Sequence, residues 1–294
     1  MAQKPFFSVI LPTYRRHDPM ACFLKALNNN TYPAERFEVI VVDDDNNSHT
    51  KEILASLKLS FLPQLMTQEH AGPAAARNIG RSLAKGKYLV FIDDDCLPEP
   101  EWLTALAQIS AEEPGQAIVG RTVNGLPQNI FARASQALYD YLHQTYNLDG
   151  ESARFGLTCN LAVPADGFDQ LGGFDTSFTT AAGEDRDFCA RWQEHGLSMV
   201  HAPEAVVQHH HALTFGSFCR QHFNYGRGAW IFHQKRPNAN NPKNSLEPMN
   251  FYLKLIFSPL SRPNTPQPLL LVPLLLLSQL ATCAGYLTEK LQWT

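Results

Sequence analysis

The sequence predicts an α/β protein built on a mostly parallel sheet with helices on both faces, and three observations carry that prediction. From Phe6 to about Thr122, short apolar runs alternate with amphipathic stretches, the rhythm of successive βαβ units. Polar or acidic clusters at Pro12 to Arg15, Asp43 to Asp45 and Asp93 to Asp95 each close one of these runs, where open α/β sheets bind ligands. The run Leu89 to Cys96 also delivers three adjacent carboxylates to one strand end, a crowding that is costly unless a cation compensates it.

In chain order, strands are expected at Phe7 to Leu11, Val39 to Val42, Leu62 to Met66, Tyr88 to Ile92 and Ala117 to Val119. Helices are expected between them, around Met20 to Asn29, Thr50 to Leu57, Pro73 to Ala84 and Pro100 to Glu112. Pro73 suits a first helical turn, with Arg77 and Asn78 projecting from the next. Beyond Thr122 the rhythm changes to a helix at Gln128 to Tyr146, a Gly-rich passage at Leu171 to Gly183 and a helix at Asp185 to His195. A strand-like Ala205 to His211 and a helix at Phe215 to Gln234 follow. The organisation expected is a ligand-binding half at 1–122, a second half at 123–236, a Pro- and Asn-rich linker at 237–250 and a C-terminal segment at 251–294.

That last segment differs in kind. Pro263 to Thr288 contains 26 residues without Lys, Arg, Asp or Glu, long enough to span a bilayer. Pro266, Pro268 and Pro273 interrupt it, so a buried helix or a half-inserted hairpin is the alternative. Phe251 to Pro259 could lie along the interface as an amphipathic lead-in. Lys254 and Arg262 on the N-terminal flank favour a cytoplasmic main domain. The N-terminus agrees, running into an apolar strand without a signal-peptide core.

The totals exclude more than they identify. A net charge of -4 and the lack of any dense Lys/Arg block argue against a nucleic-acid partner. Six scattered cysteines without a CxxC pair suit buried thiols in a reducing compartment.

The chemistry lies in the carboxylates. Oxygen ligands point to Mg or Mn, hard ions that share their shell with substrate phosphates, so a diphosphate ligand follows; a solvated acidic turn is the alternative. In the second cluster one carboxylate could accept from a base N–H or ribose hydroxyls, or form a turn or helix cap. Arg77 could meet a diphosphate or bridge to an acidic loop. Glu184 and Asp185 cap a helix marked by Phe188 and Trp192. In His209-His-His211, alternation would put His209 and His211 on one face, where one could complete a metal site; a polar strand edge is the alternative. Arg227, in Tyr225-Gly-Arg-Gly228, could reach a phosphate or form a surface salt bridge.

The ordered set Ser8-Val-Ile-Leu-Pro-Thr-Tyr14, Val41-Val-Asp-Asp44, Gly72-Pro-Ala-Ala-Ala-Arg-Asn78, Phe91-Ile-Asp-Asp-Asp95, Gly172-Gly-Phe-Asp175 and Gly183-Glu-Asp-Arg-Asp187 resembles a family 2 inverting glycosyltransferase over roughly the first 230 residues. The resemblance implies a GT-A fold and transfer of a sugar from a nucleotide-sugar donor, UDP-linked by expectation, to a glycan or lipid-linked acceptor. It implies that Pro12, Thr13, Tyr14 and Arg15 border the nucleotide and that Asp44 holds base or ribose. Asp45 and Asn46 stand where Gly-Ser is common in the family. Asp93, Asp94 and Asp95 fall on the Asp-X-Asp motif, with Asp95 as the metal ligand, and Arg77 lies near the diphosphate. Asp185 matches the catalytic base, with Glu184 beside acceptor or sugar. Inversion in one displacement needs such a carboxylate to take the acceptor hydroxyl's proton. Arg191-Trp192 lacks the Gln of the processive relatives' Gln-X-X-Arg-Trp motif, which implies a non-processive enzyme.

Readings from other classes are a nucleotidyltransferase, a non-catalytic sugar-nucleotide or glycan-binding module and an aspartyl-phosphate phosphatase. The first should carry a Gly-rich phosphate loop, whereas Pro12-Thr-Tyr-Arg-Arg16 has no glycine. The second should have lost Asp185 or the Asp93 to Asp95 cluster. The third lacks its hydroxyl residue after Asp93.

Overall fold

The computed structural model describes residues 5–46, 48–147, 153–178, 182–236, 247–263 and 265–292. The strands are β1 (Phe7–Thr13), β2 (Phe37–Asp43), β3 (Gln64–Thr67), β4 (Tyr88–Phe91), β5 (Cys96–Pro98), β6 (Ala117–Asn124), β7 (Leu161–Pro164) and β8 (Met199–His209). They form one eight-stranded sheet in the order β3-β2-β1-β4-β7-β6-β8-β5. The first four are parallel; β4–β7, β7–β6 and β8–β5 are antiparallel pairs.

Alternation along β1 accounts for the two-sided covering. Val9 and Leu11 point into one apolar cluster with Phe23 and Leu24 of helix α1 (His17–Leu27), and Ile10 points into another. Helix α3 (Pro73–Leu83) covers that second face at close range, because a Cβ at Gly80 would press into Ile10. The register places Thr13 opposite Asp43 and Ile10 opposite Phe91, so β1, β2 and β4 end on a common rim. Helix α2 (Ser48–Ser56) follows β2, and α4 (Trp102–Glu112) buries Trp102, Leu103 and Leu106 beneath the same sheet. The short α6 (Ala165–Gln170) precedes α7 (Glu184–Glu194), whose Phe188 and Trp192 enter the second cluster one helical turn apart.

Two compact units share the chain. One comprises Met1–Val123, Tyr146–Thr179 and Glu184–His210; the other comprises Asn124–Thr145, Thr180–Gly183 and His211–Thr294. The second unit is helical, with most of α5 (Ile130–Asn147), then α8 (Phe215–Lys235), α9 (Met249–Ser261) and α10 (Pro268–Gln292). A reciprocal capping box between Thr214 and Ser217 opens α8. The expected linker falls largely on 237–246, and part of the Gly-rich passage on 179–181, both outside the described residues.

Two expectations change in detail. The last strand ends at His209, so His211 lies beyond the strand alternation assumed for it. Cys96, Cys159 and Cys189 are buried thiols, but Cys22 and Cys283 are exposed.

Candidate active site

The mouth of β1 and β4 is a closed ring of charges. Thr13 Oγ1 donates to Asp94 at 2.8 Å, and the Arg16 guanidinium meets Asp94 at 3.0 Å and Asp95 at 2.7 Å. Burial pushes the Asp94 carboxyl up to about 7, with Arg16 and Thr13 pulling against it. Burial also works against the Asp95 charge, yet the His209 imidazole and Arg16 hold its carboxyl well below the usual range. His209 stands across from Cys96 in the β5–β8 register, with its Nε2 3.3 Å from Asp95 Oδ1. Burial opposes its charge, but Asp95 raises the imidazole to about 9.

Asp95, Cys96 and His209 each bring one ligand atom within 4.8 Å of the other two. Carboxylate and imidazole together fit a divalent ion of the Mn or Mg kind, so the donor set passes on its chemistry. The Cys96 thiol is buried and pushed well above its ordinary range by burial and by neighbouring Cys159, which disfavours the thiolate a soft metal needs. His211 lies in the second unit, where it bears on the charge state of His222.

A second cluster is centred on Arg77. This side chain is 2 % exposed and joins Asp93 at 2.8 Å to Glu184 at 3.0 Å. Burial opposes its charge, and the two carboxylates restore it. Burial raises Glu184, with Arg77 pulling the other way. Asp185 is half-buried at the first turn of α7, and burial with adjacent Glu184 pushes its carboxyl up to about 7. A carboxylate poised near neutrality suits a general base. Among the described residues, Arg77 Nε and Glu184 Oε2 have no hydrogen-bond partner, leaving a buried donor and a buried acceptor within one ion-paired group.

Asp44 forms a third centre. Its carboxylate accepts from His70 Nδ1 at 2.8 Å, from the backbone N–H groups of Ala71 at 2.8 Å and Gly72 at 3.0 Å, and from Gln68. Four donors match the roughly four lone-pair directions of a carboxylate. Tyr14 stacks on His70 with ring centroids 4.1 Å apart. Arg15 has a left-handed backbone at φ 55°, lies over Tyr14 and pairs with Asp45 at 2.9 Å. Pro12 precedes Thr13 in β1, opposite Val42. Thr13 connects the centres, since its carbonyl accepts from the Asp44 N–H while its hydroxyl serves Asp94.

The structure thus gathers Pro12, Thr13, Tyr14, Arg15, Asp44, Arg77, Asp93, Asp94, Asp95, Glu184, Asp185 and His209 within the first unit. Sequence reasoning missed Arg16, Gln68, His70 and Cys96. The signal for Arg16 was present: three packed aspartates require positive charge nearby, and it is the basic residue three positions beyond β1.

Comparison with known proteins bears on the family and the fold. The pattern described as glycosyl transferase family 2 matches residues 8–172, and one described as the N-terminal domain of galactosyltransferase matches residues 142–213. Glycosyltransferase AglE of Haloferax volcanii is 32% identical over 228 residues, covering 76% of this chain and 73% of that protein. The validoxylamine A glucosyltransferase of Streptomyces hygroscopicus subsp. limoneus is 27% identical over 229 residues, 68% of this chain but only 51% of the relative, so the chain spans about half that protein's length. Among solved structures, the mannosyltransferase PcManGT from Pyrobaculum calidifontis, in complex with GDP-Man and Mn2+, superposes with a TM-score of 0.62 at 18% identity, over 96% of this chain and 76% of that one. The fold is of the GT-A type, and the chain belongs to glycosyl transferase family 2 and is a glycosyltransferase.

Proposed function

We propose that the chain transfers a sugar, with inversion, from a nucleoside diphosphate donor to a hydroxyl of a glycan or lipid-linked acceptor. The observation that carries this reading is the connected group Asp93–Arg77–Glu184, with Asp185 beside it and its carboxyl near 7. Asp185 takes the proton of the acceptor hydroxyl as that oxygen attacks the anomeric carbon. Glu184 Oε2, without a hydrogen-bond partner among the described residues, is an acceptor atom placed to hold a sugar hydroxyl. Arg77 bridges Glu184 and Asp93 and limits the rise of Asp185. Thr13 and Asp94 fix the floor of the donor site, and Tyr14 with His70 offers an aromatic face to the base. Asp95 and His209 would hold Mn or Mg, which when bound neutralises charge developing on the leaving diphosphate.

By role, residues 1–122 form the donor half and 123–236 the acceptor and base half. UDP-sugars are the first donors to test and GDP-sugars the second, since the solved neighbour holds GDP-Man. The C-terminal helices attach the enzyme to the cytoplasmic face of a membrane, which supports a lipid-linked acceptor. Donor hydrolysis across UDP-, GDP- and dTDP-sugars, with and without Mn, tests the reading without a known acceptor. Asp95→Ala should lose metal-dependent binding, and Asp185→Asn should keep binding but lose hydrolysis. Indifference of the wild type to every donor would replace the transferase reading with that of a binding module.

A further inference from the structure

Helix α10 buries Leu271 and Leu275 together with several polar side chains, and leaves a row of other leucines on its outer face, unlike a helix on a water-facing surface. Ser278 and Glu289 are buried, and Thr282 Oγ1 donates to the His222 carbonyl of α8 at 3.1 Å. Arg227 of α8 pairs with Glu289 at 2.6 Å. The two helices approach through glycines, since a Cβ at Gly226 or Gly285 would collide with the backbone of the other helix. On the opposite side Leu269, Leu276, Leu280, Leu287 and Leu291 are exposed, one or two turns apart along about 33 Å of helix. Helix α9 exposes Met249, Leu253, Phe257 and Leu260, each about one turn from the next.

We propose that α9 and α10 lie in the plane of a bilayer containing anionic lipid, with these faces sunk into the headgroup–acyl boundary, and do not cross it. Length and composition alone would let α10 span. Packing decides otherwise: a crossing α10 would carry α8, with exposed Arg220 and ion-paired Arg227, into hydrocarbon, or else abandon Arg227 and leave Glu289 there alone. The charges complement a negative surface. Lys254 and Lys290 are exposed, and Glu289 is the sole acid between 249 and 292 and is buried.

This rests on the membrane attachment proposed above, but not on the donor or the reaction, so its test needs no turnover. The full chain carrying Cys22→Ser and Cys283→Ser would receive one cysteine at a time by Leu269→Cys, Leu280→Cys or Leu291→Cys, labelled with an environment-sensitive dye. Flotation with phosphatidylcholine vesicles, with and without phosphatidylglycerol, measures binding, and quenching by lipids doxyl-labelled at shallow and deep positions measures depth. The expected result is binding favoured by phosphatidylglycerol, with all three labels at one shallow depth. Leu276→Gln with Leu280→Gln should weaken partitioning by about a hundredfold while donor hydrolysis persists. A deep label at 280 between shallow labels at 269 and 291 would overturn the proposal in favour of crossing. Failure to float with either vesicle, with reversible dimerisation in sedimentation, would overturn it in favour of a second copy. Loss of donor hydrolysis with flotation intact would count against the transferase reading alone.

Discussion

Replacing Arg77 tests whether the acidic centre is held by one cation. Its guanidinium, 2 % exposed, bridges Asp93 at 2.8 Å and Glu184 at 3.0 Å. Arg77→Ala strands Glu184, itself 3 % exposed. Removing one partner of a buried pair costs about 3–5 kcal/mol, and the more exposed Asp93 contact adds at most about 1 kcal/mol. Against a total stability of roughly 5–15 kcal/mol, that variant is marginal, so Arg77→Lys is the working probe. A single ammonium cannot reproduce the fork, and the expected loss is about 1.5–3 kcal/mol. Urea unfolding followed through Trp192 on α7 reads this directly. A double-mutant cycle of Arg77→Met with Glu184→Met should show coupling above about 2 kcal/mol, because the apolar pair buries no stranded charge. Coupling below about 0.5 kcal/mol would refute the argument. Arg77 also lowers the Asp185 carboxyl through its charge, which lysine keeps, so the acidic limb of the kcat/KM profile should stay near 7 in Arg77→Lys and move upward in Arg77→Met.

The same physics gives further expectations. The Asp185 carboxyl is raised in the folded state from 3.8 to about 7, so its ionisation costs stability as pH rises from about 4 to 7. Asp185→Asn should therefore stabilise the protein at pH 8 by about 1–2 kcal/mol after discounting for partial exposure, leave it unchanged at pH 4, and lower kcat by about 10²–10⁴. Thermal melts at the two pH values and single-turnover rates check the two halves. His209→Ala should weaken Mn binding at least about tenfold, read by the loss of free Mn signal in electron paramagnetic titrations. Gly285→Val forces α10 off Phe223 of α8, and should cost about 1–3 kcal/mol and lower the midpoint of thermal unfolding.

Much of residues 1–122 was legible because the signals there are local. β4 is four buried apolar residues followed by acids, and α3 opens on Pro73 after Gly72, which takes φ 89° as only glycine does readily. The rest depends on distant partners. β5 is three residues long, begins immediately after the acidic run and exists as a strand because it pairs with β8 more than a hundred residues later. β7 has only Leu161 to Val163 before Pro164, too short for periodicity to register. The four donors on Asp44 include two backbone N–H groups, which no side-chain pattern announces. The inward polarity of α10 shows only when α8 lies against it; read alone, its apolar composition resembles a span.

The Asp44 contacts give this enzyme a mechanical linkage. Its carboxylate grips the N–H of Gly72, the residue that starts α3, and Arg77 lies five residues further along that same rigid rod. Five residues of helix are about 7.5 Å, and a helix transmits a shift at its first turn undiminished over so short a length. A displacement of Asp44 would therefore reach the guanidinium that pairs with Glu184. The loop after β2 and the buried acidic centre are thus joined by a single short stretch of helix, so that neither can be repositioned without the other.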